Sequence, residues 1–162
     1  MNIKLASIDD QFSILTLLNE VTKKLLALNI MQWEYPWDIK VVEQDIINGH
    51  QYIVIEDSKI IAAFSLKDMP INYWTNVDSN NQMYLYRIAV DPSYQGKNTG
   101  MDICNWVLNY ANHNRKDIFL DCWAGNDKLR SFYIKAGFHY VSDFTEDDYY
   151  VSVFRSIVIS EK

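Results

Sequence analysis

The sequence predicts a mixed α/β fold in which helices pack against a mixed β-sheet. Runs rich in β-branched and aromatic residues alternate with segments whose apolar residues recur at helical spacing. After two N-terminal helices the order is strand, strand, strand, helix, strand, helix, strand, which is typical of helices covering a sheet. The 162 residues are 49% hydrophobic and show no internal repeat and no linker-like stretch. We therefore expect one domain covering residues 1–162.

The N-terminal third is predicted to contain one short strand and two helices. The strand is IKL at 3–5, and Ser7 or Asp9 is expected to cap the first helix. The segment 29–38, NIMQWEYPWD, interrupts the helical pattern, because a proline disfavours helix in the residue before it. A short second helix runs from Asp38 to a stop signal at 48–49, Asn-Gly. The apolar stripe of the first helix is formed by Ile14, Leu18, Val21, Leu25 and Leu28.

The remaining elements follow from the same two periodicities. Runs at 51–57 and 59–67 read as a hairpin around Asp57-Ser58, and 83–90 is a third strand after a polar loop at 71–82. A helix over 100–111, a strand over 117–123 and a helix closed by Gly137 come next. The aromatic C-terminal region holds one or two more strands, of which 148–159 is the clearer.

Composition excludes several functional classes. A formal charge of −6 argues against a nucleic-acid partner and mildly favours a cationic small molecule. No apolar run is long enough to span a membrane, and the N-terminus has no signal-peptide pattern, so we expect a cytoplasmic protein. Cys104 and Cys122 are expected to be buried filler, and no role is assigned to the three scattered histidines. We expect no metal site.

The turn DPSYQGKNTG at 91–100 is the most suggestive segment. It joins a predicted strand to a predicted helix, and the first amides of a helix attract anions. Gly96 and Gly100 would let a ligand approach the backbone, Asn98 tolerates a positive φ, and Lys97 adds positive charge. The loop by itself is also compatible with an ordinary strand-to-helix connection.

Two segments, LYRIAVDPSYQGKNTG and NDKLRSFYIKAGF, resemble the GNAT superfamily of acyl-CoA-dependent N-acyltransferases. The resemblance is strongest over residues 83–140. Segment 29–38 is similar to a branch of this superfamily whose substrate is undefined. It implies a central, mostly antiparallel mixed sheet of about six or seven strands flanked by about four helices. It also implies acetyl-CoA as co-substrate.

The resemblance assigns roles to matching positions. The loop would wrap the pyrophosphate of the acyl-CoA, the preceding strand would pair with its pantetheine arm, and Asn126 would contact the cofactor. Tyr133 would be the general acid that protonates the leaving thiolate. The alternatives are core packing for Tyr133 and helix capping for Asn126. The implied cofactor-binding residues are Ile88, Ala89, Val90, Gln95, Gly96, Lys97, Asn98, Thr99, Gly100, Asn126 and Tyr133.

One position departs from the family pattern. Asn98 replaces a usual glycine, and Thr99 replaces a usual aliphatic residue. Asparagine adopts a left-handed backbone at a cost of about 1 kcal/mol relative to glycine, and its side chain adds bulk beside the phosphate. Weakened cofactor binding is the consequence to test.

The general base is open, because YLYRIAV has no glutamate of the kind that many family members carry on this strand. Glu34 and Asp38 are candidates for the acceptor site, and Tyr86 is a candidate for ordering a water. Each also has an ordinary alternative: Glu34 as a charged loop residue, Asp38 as a helix cap and Tyr86 as part of the sheet packing. Four further aromatic residues could form a wall around the acceptor or could cover the edge of the core. They are Trp33, Trp37, Tyr73 and Trp74.

The sequence thus predicts an N-acetyltransferase that moves an acetyl group from acetyl-CoA to a primary amine by direct attack. The acceptor is a small molecule or a peptide. The alternatives are a non-catalytic acyl-CoA-binding module, which draws on Asn98 and the missing strand glutamate, and a plain structural domain. The aromatic C-terminus is a candidate homodimer contact.

Overall fold

The computed structural model describes residues 1–30, 32–70, 73–74 and 81–156. These residues form seven strands and four α-helices, in agreement with the six or seven strands and about four helices that the resemblance implied. None of the helices among them is both long and apolar enough to cross a membrane. The elements are β1 (Asn2–Leu5), α1 (Gln11–Ala27), α2 (Ile39–Ile47), β2 (Gln51–Glu56), β3 (Lys59–Asp68), β4 (Gln82–Val90), α3 (Thr99–His113), β5 (Asp117–Trp123), α4 (Asp127–Lys135), β6 (His139–Glu146) and β7 (Tyr149–Arg155).

The seven strands form one sheet in the order β1-β2-β3-β4-β5-β7-β6. The pairs β1–β2, β2–β3, β5–β7 and β6–β7 are antiparallel, whereas β4 and β5 run parallel. The parallel ladder is short: it joins Gln82–Tyr84 to Asp117–Phe119. The sheet is therefore mixed and mostly antiparallel, as predicted.

The chain divides into two compact units. The first contains Met1–Leu66 and Tyr86–Gly100, and the second contains Lys67–Leu85 and the chain from Met101 onwards. The description of one domain over residues 1–162 stays a prediction.

The core of the first unit is built on the apolar stripe of α1. Ile14, Leu18 and Val21 are buried as their helical spacing predicts, and Leu17 joins them. Burying such a stripe is what stabilises an amphipathic helix in a protein. The other buried members of this core are Val42, Ile46, Ile53, Ala63 and Ala89.

The core of the second unit is rich in aromatic side chains. Phe119, Phe138 and Phe154 are each almost fully buried, and Tyr133 contacts the last two with ring centroids 6.1 and 5.9 Å away. Both cysteines lie in this core, as predicted for apolar filler. Its further buried members include Ile103, Val107, Ile118, Leu120 and Val153.

Local signals read from the sequence account for several element boundaries. The Asp38 side chain accepts a hydrogen bond from the Lys40 amide and caps α2, which ends at Ile47 as its stop signal predicts. Asp57 and Ser58 have φ values of 50° and 63°, which suits a tight hairpin turn. A 3₁₀ turn at Ile8–Asp10 precedes α1, and the Ser7 amide donates to Asp10.

Two predicted segments extend outside the described residues. The loop at 71–82 is described only at Tyr73, Trp74, Asn81 and Gln82, and the last strand is described to Arg155. The β-prone run at 148–159 therefore includes three positions, 157–159, that lie outside the described residues.

A buried carboxylate ties three elements of the first unit together. Asp45 on α2 accepts hydrogen bonds from Ser65 on β3 at 2.8 Å, from Tyr86 on β4 at 3.0 Å and from Arg87 on β4 at 2.7 Å. The His50 imidazole lies 3.9 Å from the same carboxylate. Because a buried charge is costly without partners, this network requires all its members to be present together.

We expect Asp45→Ala to lower the free energy of unfolding by about 2–4 kcal/mol, because it leaves Arg87 and Tyr86 without their acceptor. Urea denaturation of the purified protein measures this change. Gln44→Ala, at an exposed position of the same helix, is the matched control and should change stability little. Equal effects of the two substitutions would contradict the structural role of Asp45.

Candidate active site

The first half of the loop between β4 and α3 is held by backbone and side-chain hydrogen bonds within the first unit. The Asp91 amide donates to the Ile61 carbonyl at 2.8 Å, and the Asp91 carboxylate caps the 3₁₀ turn Pro92–Tyr94 through Ser93. The Gln95 side chain donates to the Val90 carbonyl at 3.1 Å and accepts from Lys24 at 2.7 Å. The loop therefore has a defined conformation.

The tip of this loop has the backbone geometry that the sequence suggested. Gly96 and Asn98 have φ values of 79° and 65°, so the asparagine adopts the left-handed region that a glycine would otherwise supply. Residues 95–98 are exposed, whereas Thr99, the first residue of α3, is buried. The departure from the family pattern at Asn98 leaves the fold of the loop intact.

Three lysines, Lys24, Lys59 and Lys97, give this loop a positive surrounding. The ammonium groups of Lys59 and Lys97 lie 5.7 and 5.3 Å from the centroid of the Tyr94 ring. Lys59 is also 3.4 Å from Asp91, and hydrogen bonds from Ser93 hold the pKa of Asp91 below its usual value. An exposed loop tip, cationic side chains and the start of a helix together suit an anionic group such as a pyrophosphate.

The strand before the loop contains a backbone feature that sequence reasoning missed. Arg87 has a φ of 53°, which is uncommon for a non-glycine residue within a strand. Its guanidinium is held by Asp45 and lies 5.5 Å from the centroid of the Trp37 ring. Strained backbone of this kind tends to occur at functional sites, and Ile88, Ala89 and Val90 follow directly.

Tyr86, a candidate for ordering a catalytic water, is a member of the Asp45 network. Its hydroxyl donates to Asp45, and burial together with the nearby carboxylate raises its pKa above the usual value for tyrosine. Glu34, a candidate for the acceptor site, is exposed in the connection between α1 and α2. A catalytic role for Tyr86 or Glu34 stays a prediction.

Of the four residues predicted to form an aromatic wall, two pack together in each unit. Trp33 and Trp37 form an edge-on pair in the first unit, with centroids 5.6 Å apart. The Trp37 indole donates to Thr22 at 2.9 Å, which fixes the connection onto α1. Tyr73 and Trp74 belong to the second unit, where their centroids are 4.4 Å apart.

Asn126 and Tyr133 both lie in the second unit. The Asn126 side chain accepts from the Leu129 amide at 3.1 Å and caps α4, which is the structural role the sequence left open. Tyr133 is buried, and desolvation raises its pKa well above the usual value, so the phenol stays protonated. A protonated phenol is the form that a general acid requires.

A hydrogen-bonded pair in the second unit was missed by sequence reasoning. The Tyr84 hydroxyl on β4 donates to Asp121 on β5 at 2.7 Å. In the sequence the two residues lie in different predicted strands, 83–90 and 117–123. Only the pairing of the two strands brings them together, so no local signal could have found them.

The cysteines have no features of a nucleophile or a metal ligand. Burial raises the pKa of each thiol to about 12, so both are neutral at ordinary pH. Among the described residues no group of three or more His, Cys, Asp or Glu side chains is placed to hold a metal ion.

Comparison with known proteins relates most of the chain to one family. The profile of the acetyltransferase (GNAT) family matches residues 20–138. The chain is 28% identical over 109 residues to the uncharacterized N-acetyltransferase YesJ of Bacillus subtilis. That match covers 64% of this chain and 61% of the relative, so it spans less than two thirds of the relative's length.

Solved structures share the fold at low sequence identity. A GNAT-family acetyltransferase from Streptococcus agalactiae superposes with a TM-score of 0.82 at 20% identity, covering 99% of this chain and 96% of that one. One from Listeria monocytogenes gives a TM-score of 0.79 at 18% identity, with 96% and 93% covered. The predicted GNAT-like α/β fold is therefore confirmed.

We expect Asn126→Ala to destabilise the protein by about 1 kcal/mol, because it removes the cap of α4, whereas Asn126→Ser retains a capping oxygen and should cost less. Thermal unfolding measures the difference. If the side-chain amide of Asn126 also contacts the cofactor, acetyl-CoA affinity should fall in both variants. Equal destabilisation by alanine and serine would contradict the capping role.

Proposed function

Because the chain belongs to the acetyltransferase (GNAT) family, we propose that it is an N-acetyltransferase that uses acetyl-CoA to acetylate a primary amine. Members of this family use acetyl-CoA as co-substrate, and the family relationship gives no support to the alternative of a non-catalytic binding module. The resemblance read from residues 83–140 agrees with the family match. The acceptor is proposed to be a small molecule or a peptide.

The observation that carries the proposal is the loop after β4. Gly96 and Asn98 both have left-handed backbone conformations at its exposed tip, next to Lys97 and the first turn of α3. These features fit the pyrophosphate of acetyl-CoA. The proposed contacts are made by Gln95, Gly96, Lys97, Asn98, Thr99 and Gly100, with the backbone of Ile88–Val90 holding the pantetheine arm.

The chemistry proposed is direct attack of a neutral amine on the thioester carbonyl. The C–N bond forms, the C–S bond breaks, and Tyr133 gives its proton to the leaving thiolate. Desolvation keeps Tyr133 protonated until that step. No covalent intermediate on the protein is required, which agrees with thiols of high pKa at Cys104 and Cys122.

Further features of the proposal come from composition. The net charge of −6 favours a cationic acceptor. A cytoplasmic location, a homodimer, and the absence of nucleic-acid, membrane and metal partners stay predictions from the sequence.

Titration of the purified protein with acetyl-CoA, followed by heat or thermal shift, tests the proposal first. We expect saturable binding and, with a panel of amines, amine-dependent release of the CoA thiol. Tyr133→Phe should lower kcat roughly 100-fold or more without changing acetyl-CoA affinity, since phenylalanine keeps the ring contacts. Tyr110→Phe, on a tyrosine stacked against Trp106, is the matched control.

Binding without thiol release for every amine would support the non-catalytic module, and no binding would overturn the acetyl-CoA site.

We expect Asn98→Gly to leave acetyl-CoA affinity nearly unchanged, because Asn98 already has the left-handed backbone. Asn98→Val should weaken binding roughly tenfold, since a β-branched residue relaxes out of this conformation in the free protein and about 1–2 kcal/mol is needed to restore it. Isothermal titration compares the variants. Markedly tighter binding by Asn98→Gly would instead mean that the asparagine side chain crowds the phosphate.

A further inference from the structure

Arg87 departs from the regular alternation of a β-strand. Successive side chains of a strand point to opposite faces of the sheet, yet Tyr86 and Arg87 both reach the carboxylate of Asp45. The φ of 53° at Arg87 accounts for this, because a residue outside the extended region interrupts the two-residue period. Such a backbone costs free energy, and residues that retain it are concentrated at functional sites.

Only one edge of the Arg87 guanidinium is used inside the protein. Nη1 donates to Asp45 at 2.7 Å, and among the described residues the guanidinium makes no other hydrogen bond. Nε and Nη2 are not among the buried polar atoms that lack a partner, and the side chain is 29% exposed. The second edge of the guanidinium is therefore open to a ligand.

The guanidinium is held in place before any ligand arrives. The ring centroids of Trp37 and Tyr86 lie 5.5 and 5.0 Å from its central carbon. Trp37 is itself fixed, because its backbone amide donates to the Asn19 side chain and its indole donates to Thr22, both at 2.9 Å. An arginine restrained in this way loses little conformational entropy when it binds a ligand.

The open edge of Arg87 has the shape and charge to bind a carboxylate. Two parallel N–H groups of a guanidinium match the two oxygens of a carboxylate, and this pairing is among the stronger hydrogen-bonded contacts in proteins. Because Asp45 already offsets the positive charge of Arg87, a singly charged carboxylate suits this edge better than a doubly charged phosphate.

Arg87 is next to the segment proposed to hold the thioester. It directly precedes Ile88–Val90, and all four residues belong to the first unit. A strand rises about 3.3 Å per residue, so Arg87 is separated from the proposed pantetheine contacts by about 3 to 10 Å along the strand. A small acceptor whose carboxylate is bound at Arg87 can span this distance and present its amine to the thioester.

We propose that Arg87 is a specificity-determining residue that binds the carboxylate of the acceptor, and that the acceptor is a free amino acid. The inference rests on the proposed function and narrows its acceptor from primary amines in general. An amino acid brings an ammonium group, which agrees with the net charge of −6. The acetyl group joins the amine, the CoA thiol is released, and the carboxylate is unchanged by the reaction.

The first experiment measures acetyl-CoA-dependent thiol release by the wild type with a panel of free amino acids and with their carboxamides. Each pair shares the amine and the side chain and differs in the carboxylate. We expect kcat/KM to be roughly 10- to 100-fold higher for the acid of the best pair. The carboxamide has the lower amine pKa, because it lacks the carboxylate that stabilises the ammonium group. The supply of neutral amine therefore cannot produce this preference.

The second experiment repeats the comparison with Arg87→Gln and Arg87→Lys. We expect Arg87→Gln to lower kcat/KM for the acid until the two members of the pair are used about equally, with kcat/KM for the carboxamide nearly unchanged. Arg87→Lys keeps the charge but loses the two-pronged geometry, so its preference should be intermediate. The matched control is Arg115→Gln, at an exposed arginine of the other unit, which should retain the wild-type preference.

A third measurement uses the wild type alone, since both variants alter a partner of the buried Asp45 and folding is to be checked by thermal unfolding. The arginine reagent phenylglyoxal should modify the open edge of Arg87, as read by peptide mass spectrometry. We expect the preferred amino acid to protect Arg87 from modification and its carboxamide to give no protection. This result decides the proposal even if neither variant folds.

Several results overturn the proposal, and they are distinguishable from failure of the proposed function. Equal use of acids and carboxamides by the wild type, an acid preference that persists in folded Arg87→Gln, or an Arg87 that the amino acid does not protect would each refute the carboxylate site and leave acetyl transfer standing. A wild type that binds acetyl-CoA but acetylates no amine would refute the proposed function and this inference with it.

Discussion

The carboxylate of Asp45 is the constraint on which the first unit depends. A buried charge is costly unless it is fully hydrogen-bonded, so its partners on β3 and β4 must come to α2 in one arrangement. Arg87 contributes to this arrangement and has a positive φ in the middle of a strand. The network offsets the strain at Arg87 and so fixes the direction in which β4 continues towards Ile88–Val90 and the loop.

The same strand carries a second pair of this type in the other unit. Tyr84 donates to Asp121 as Tyr86 donates to Asp45, yet the surroundings of the two carboxylates differ. Asp45 accepts hydrogen bonds from three donors, including a guanidinium, which suits a group with a structural role. Asp121 accepts from a neutral phenol, and burial together with the like charge of Glu146 raises its pKa to about 6.

The loop after β4 shows how a departure from a family pattern is accommodated. Asparagine is among the few residues that enter the left-handed region at modest cost, and Asn98 does so with a φ of 65°. The loop is further held by Gln95, whose amide bridges Val90 and Lys24. A motif position can thus change identity while its backbone conformation is kept.

The sequence by itself determined the elements, their order and the loop. Helix stripes such as that of α1, the Asp38 cap and the Asp57-Ser58 turn are local signals, because the residues that cause them are neighbours in the chain. The resemblance of residues 83–140 added the family, which the family match confirms, and the roles expected of Tyr133 and the loop, which stay predictions.

Only the tertiary structure decided which polar groups meet. Asp45 and Tyr86 are separated by 41 residues and Tyr84 and Asp121 by 37, and no periodicity links positions so far apart. The pKa of Asp121 near neutral pH likewise arises from burial and from groups on other strands. Spacing in the chain sets local conformation, whereas the pairing of strands brings together polar groups that are far apart in the sequence.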